Sequence, residues 1–255
     1  VDWTVTDPGL IVAAADFLER RHGTHAAELA APLGALREAG RQPALAARWY
    51  AAAAQRAMAV FAYAEAEALA RRGLDAALAV PDEAMRAPLE LGPRLVLGAV
   101  SLVRRGFSAP STAEHMARAR ALCEAMGDAP ALAPALWVLV LYTIASGSLG
   151  DAATLSAQLL AIGETSRDPV IRAVGHVVHV GLELHRGRLR EVQPHHLAAE
   201  ALATPAVDTA VRQGFPPDPL LTMRATVARQ RWLRGHPDEA SAILATLVRR
   251  ATQHG

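Results

Sequence analysis

Histidine supplies the most suggestive chemistry in this sequence. His176 and His179 lie three apart in "VGHVVHVGLELH", His185 follows, and His195–His196 stand in the next segment. Neutral imidazoles converging from one helical face are what a zinc or haem site requires. Both members of the first pair are flanked by valines, however, and no carboxylate or thiol beside them completes a ligand set. The expectation is therefore no metal and no cofactor. The histidines are packed, or else Tyr142, His176, His179 and His185 line a pocket for a small apolar effector.

Other reactive groups point the same way. Cys123 is the only cysteine, so no disulfide forms within one chain, and it sits in "RARALCEAMG" on the apolar side of a helix with Ala119, Leu122 and Met126. No G-x-S-x-G elbow occurs and no acid/base pair suggests itself, so no catalytic residue is assigned and an enzyme is not expected. Arginine pairs such as Arg20–Arg21, Arg71–Arg72 and Arg104–Arg105 fall near helix C-termini, where cations complement the macrodipole. With a formal net charge of +1 and 4% aromatics, the chain lacks the basic, aromatic-laced stripe of a nucleic-acid binder. The absence of Lys and Asn, beside abundant Ala and Arg, reads as the coding bias of a GC-rich genome. It also argues against a chaperone-peptide clamp built from those two residues.

The elements that carry these side chains are helices. Ala, Leu, Arg and Glu dominate, and strand signals are nearly absent. Asp followed by Pro marks starts at Asp7–Pro8, Asp168–Pro169 and Asp218–Pro219, while Gly40, Gly127, Gly187 and Gly235 mark stops. About twelve helices result, near 8–21, 24–39, 43–60, 63–79, 84–105, 112–126, 130–146, 150–164, 168–186, 189–203, 217–234 and 237–252. The most apolar run, residues 135–145, is too short to span a bilayer, no signal segment opens the chain, and a reducing cytoplasm is expected. The start on Val1 rather than Met suits a piece of a longer protein.

A turn motif recurs among these helices. Phe61–Tyr63–Ala66, Gly147–Leu149–Ala152, Gly187–Leu189–Val192 and Gly235–Pro237–Ala240 share one shape, and Gly106 adds a variant with inserted residues before Ala113. The first residue closes a helix in a left-handed backbone, and the small residue five later sits where two helices cross. Successive markers lie 40 to 48 residues apart, the period of a tetratricopeptide-like array. The predicted fold is an all-α, right-handed α-solenoid of about six antiparallel helix pairs. One repeat domain covers 1–255: capping helices over 1–42, central repeats over 43–203 and a C-terminal repeat over 204–255.

Residues 25–74, from "HAAELAAPLGALREAG" to "EALARRGL", resemble the opening of the tetratricopeptide region of large bacterial STAND-type signalling ATPases. These include the large LuxR-family regulators and the class III adenylate/guanylate cyclases fused to an ATPase. Residues 116–162, with Trp137 and the "GSLGDA" turn, are similar to the middle of that region, and 218–240 to a later repeat. The resemblance implies a non-catalytic sensor and coupling arm. Its partner would be a protein or peptide, the parent's own ATPase domain among them, or a small effector. The phosphate loop, cyclase carboxylates and helix-turn-helix of such proteins have no counterpart in these residues.

Such an array binds along the concave face formed by the first helix of each pair. The repeat register directs Arg48, Gln55 and Met58 inward from the 43–60 helix. It directs Trp137 and Leu141 inward from 130–146, and Arg229 and Trp232 from 217–234. Aromatic and Arg side chains are the types that dominate protein interfaces. A stand-alone homo-oligomeric adaptor, at its simplest a homodimer, is the other expectation; neither nucleic acid nor membrane is a partner.

Overall fold

The computed structural model describes the backbone of residues 7–254; residues 1–6 of the expected N-terminal cap, and Gly255, lie outside the described residues. Thirteen α-helices and no strand occur among them, so the chain is all-α with helix packed on helix. They are α1 (Pro8–His22), α2 (Ala30–Ala39), α3 (Pro43–Ala59), α4 (Tyr63–Leu78), α5 (Glu83–Arg105), α6 (Pro110–Met126), α7 (Ala133–Ala145), α8 (Leu149–Ser166), α9 (Pro169–His185), α10 (Val192–Leu202), α11 (Pro205–Gly214), α12 (Pro219–Leu233) and α13 (Pro237–His254). Short 3-10 turns lead into α2 and α7. No helix among the described residues is long and apolar enough to cross a membrane.

The sequence signals act as expected at the three Asp–Pro starts. The Asp7, Asp168 and Asp218 carboxylates accept from the amides of Gly9, Val170 and Leu221 at 2.9, 2.8 and 3.1 Å, each ahead of a Pro at the first helical position. One helix escaped the sequence reading. α11 starts by the same device with a different residue, Thr204 Oγ1 accepting from Val207 N at 3.3 Å before Pro205.

The recurring turn is real at the level of hydrogen bonds. Phe61, Gly106, Gly147, Gly187 and Gly235 all have positive φ, from 59° to 100°. After four of them the next amide reaches back five residues: Ala62 to the Ala57 carbonyl, Ser148 to Thr143, Arg188 to Glu183, and His236 to Arg231, all at 2.9 Å. This is the Schellman bond that caps a helix through a left-handed residue. Ala66, Ala152, Val192 and Ala240, five residues after each marker, are all buried. Arg41 (φ 57°) makes the same turn, with Gln42 N bonded to the Arg37 carbonyl at 2.8 Å and Ala46 buried. It stands only half a period before Phe61, so the motif also closes the α2–α3 connection. Gly106 lacks that bond, as its inserted residues foretell.

The helices gather into two compact units. One holds the chain through Arg104 together with Glu114–Met126. In it α1, α2, α3 and α4 pack in sequence, and α5 joins through Gly73 of α4, where an added Cβ would lie 3.3 Å from Pro93 Cγ. Its core is built mostly from alanines of α3 and α4 around Tyr50. Buried acids tie the helices together. Glu90, 1% exposed, takes two bonds from Arg118 of α6 at 2.9 Å and one from Arg94 at 3.0 Å. Arg71, one turn away on α4, and Arg104 of α5 both pair with Glu67, so Arg104 links α5 to α4 rather than simply capping its helix.

The other unit holds Arg105–Ala113 and the residues from Gly127 on. Its centre is α9, which packs against α7, α8, α10, α11 and α12 and buries residues on opposite sides, among them Ile171 and Val178 on one and Ala173, Val177 and Val180 on the other.

These turns predict opposite effects at two positions. Phe61 is exposed and occupies a left-handed backbone that Gly adopts at no steric cost, so Phe61→Gly raises stability by about 0.5–1 kcal/mol. Ala152→Leu, at a fully buried crossing, lowers it by about 1–3 kcal/mol. Urea midpoints check both.

Candidate ligand-binding groove

In the first unit the face of α3 turned toward α5 is open. A groove of about 490 Å³ runs between them, lined by Ala44, Leu45, Ala47, Arg48, Ala51, Ala52 and Gln55 of α3 and Met85, Pro88, Leu89 and Gly92 of α5. Its floor is narrow because the side chains there are small; a Cβ on Gly92 would lie 3.5 Å from Ala51 Cβ. Pro88 and Pro93 have no amide proton, so neither supplies the helical bond to the carbonyl four residues before it, at Ala84 and Leu89. The volume falls within the range of sites that hold ligands.

Arg48 and Gln55, two of the residues chosen from the repeat register, are the polar side chains of this lining. Both are exposed, and neither makes a hydrogen bond or ion pair with the described residues. The groove therefore presents one guanidinium, one carboxamide and a largely aliphatic wall. Arg48 is its one charged group. That chemistry suits recognition of an anionic or hydrogen-bonding group beside an apolar one.

The other chosen residues lie elsewhere. Met58 is 8% exposed and belongs to the α3–α4 core, because its side of α3 faces α4 rather than the groove. Trp137 is 1% exposed and packs inside the second unit, where its indole N–H has no hydrogen-bond partner. The expectation that these two line an open face is corrected: both supply core volume. Leu141 and Tyr142 are half-buried on α7. Arg229 is exposed on α12, its guanidinium 3.2 Å from His185 Nε2, and Trp232 is 62% exposed one turn on.

The histidines divide. His176 and His195 meet across α9 and α10 with their Nδ1 atoms 3.1 Å apart, and the His179 ring stacks on His195 at 4.6 Å between centroids. His179 Nδ1 is bonded to the Gly175 carbonyl at 2.8 Å. His185 stands apart, bonded to the Gly181 carbonyl at 2.7 Å. Among the described residues no group of three or more His, Cys, Asp or Glu is placed to hold a metal ion. Burial, then the neighbouring His179 and His176, hold His195 down to about 4, and burial lowers His176 as well. His195 was part of the sequence pattern, but its pairing with His176 was hidden, since it arises only when α10 folds back on α9.

No protein-family model and no curated protein matches the chain.

The depressed His195 predicts an acid-sensitive second unit. In the unfolded chain a histidine takes its proton near pH 6.5, whereas folded His195 resists until about 4. The unfolded state thus binds more protons across that window, and stability falls as pH is lowered through it. Between pH 7 and pH 5 the loss is about 2 kcal/mol from this group, and His195→Gln removes that part of the slope in urea unfolding.

Proposed function

We propose that this chain is a non-catalytic helical-repeat sensor or scaffold segment that binds a protein or peptide partner along the α3–α5 groove. The observation that carries the reading is the coincidence at Arg48 and Gln55. The repeat register selects them as inward-facing, and both line an open groove without any internal partner. A guanidinium that no acid neutralises, beside an aliphatic wall, is complementary to a peptide offering a carboxylate and an apolar side chain.

The resemblance to the repeat arms of STAND-type regulators supplies the setting for this proposal. In it, the segment belongs to a bacterial multidomain signalling or transcriptional regulator, and occupancy of the groove shifts the parent between restrained and active states. A ligand does this only through different affinity for the two states.

Site-directed photo-crosslinking in the host cell tests the reading. With p-benzoylphenylalanine at Gln55, a discrete adduct forms that Arg48→Glu abolishes. The same probe at Ala117, an exposed position on α6, yields none. Equal adducts at both positions, or an adduct at Gln55 indifferent to Arg48→Glu, rule the groove out as the binding face.

A further inference from the structure

The turn between α9 and α10 is held by a side chain that has no need to be polar for packing alone. Gln230 of α12 is 2% exposed, and its Nε2 donates to the Leu189 carbonyl at 2.9 Å. The same turn is closed by the Schellman bond from Arg188 N to the Glu183 carbonyl. Two fixed points thus anchor a five-residue stretch against α12.

Anchoring this stretch gathers cations. Arg188 and Arg190 of the turn and Arg234, which ends α12, line one recess of about 500 Å³ with Gly187, Leu189 and Glu191. Three arginines and one glutamate line it, in a chain whose formal net charge is only +1. Arg190 and Arg234 make no ion pair or hydrogen bond through their side chains with the described residues. Arg188 reaches only Glu183, at 3.7 Å. α10 begins at the next residue, and its first amides receive no side-chain cap from Glu191, which leaves their partial positive charge at the same place.

Like charges held together repel, and a multivalent anion relieves that repulsion. Guanidinium groups bind phosphate oxygens with paired, charge-assisted hydrogen bonds. We infer that the Arg188–Arg190–Arg234 recess is a phosphate-binding site, separate from the α3–α5 groove and independent of the function proposed for it. The phosphate is carried by a small phosphorylated metabolite or by a phosphorylated side chain of another protein. Buried Gln230 is the positioning residue, since it fixes the turn that brings two of the three arginines to the third.

Isothermal titration calorimetry on the full chain at constant ionic strength decides this, with pyrophosphate and a phosphoserine peptide as probes. The wild type binds a probe saturably at one site, and the tighter of the two identifies the source of the phosphate. Arg190→Glu and Arg234→Glu each weaken binding by about tenfold or more, as expected for loss of a charged hydrogen-bonding partner. Arg190→Gln shifts it in the same direction, and Arg56→Glu, at an exposed arginine of α3, leaves it unchanged. Thermal midpoints by circular dichroism confirm that these surface variants remain folded. No saturable binding of either probe, or affinities equal in the wild type, Arg190→Glu and Arg234→Glu, overturns the assignment.

Discussion

The second unit depends on how closely α8 and α9 approach. An added Cβ at Gly163 of α8 would lie 2.8 Å from both the Cα and the N of Arg172, and one at Gly175 of α9 would lie 2.9 Å from Leu160 Cα. Those neighbours are backbone, which cannot swing aside as a flexible side chain can. The two helices therefore touch main chain to main chain at two levels. That contact sets α9, and α9 in turn sets α7, α10, α11 and α12, all of which pack on it. The position of the histidine cluster, the turn at Gly187 and the recess beside it all follow. The first unit obeys the same constraint more mildly, with alanines at its crossings and Gly34 seated against the Tyr50 ring. Abundant alanine is thus more than coding bias here: it is the residue that lets helices cross closely.

Local features of this arrangement were legible in the sequence. Asp–Pro starts and the spaced turn residues act within six positions of chain, so their chemistry can be read directly, and Arg48 and Gln55 followed from the same register. Features that depend on distant pairing were not legible. Glu90 meets Arg118 across 28 residues, His176 meets His195 across 19, and Gln230 meets Leu189 across 41. Nothing local in "LELGPR" or "ATVARQRW" announces such contacts. Met58 and Trp137 were misplaced for a related reason. A helix in a stack has neighbours on two or three sides, so an inward register cannot separate the open face from the next packed one. The Arg41 turn was read one residue early, at Gly40, whose own φ is −76°, and α11 was missed because its capping residue is Thr rather than Asp.

Arginine is the basic residue throughout, and the fold divides its roles. Arg37, Arg94, Arg118 and Arg224 are bonded to acids that join different helices or different turns of one helix, among them Glu19, Glu90 and Glu200. A buried acid left without its arginine would cost several kcal/mol, so these pairs are structural necessities even where their net contribution is small. Arg48, Arg190 and Arg234 carry no such duty. They stand beside open space on α3 and around the Gly187 turn, where a charge is available for something outside the chain. That contrast is the ground on which the α3 groove and the α9–α10 turn are proposed as binding surfaces.

The backbone contact of α8 with α9 is tested most directly by urea unfolding of Gly175→Ala beside Gly150→Ala. Gly150 is also helical but has open space where its Cβ would be. If the close approach governs the unit, Gly175→Ala lowers stability by about 1–3 kcal/mol through overpacking, while Gly150→Ala leaves it unchanged or raises it by up to about 1 kcal/mol. A Gly175→Ala protein as stable as Gly150→Ala would contradict the account, because it would mean that α8 and α9 have room to spare.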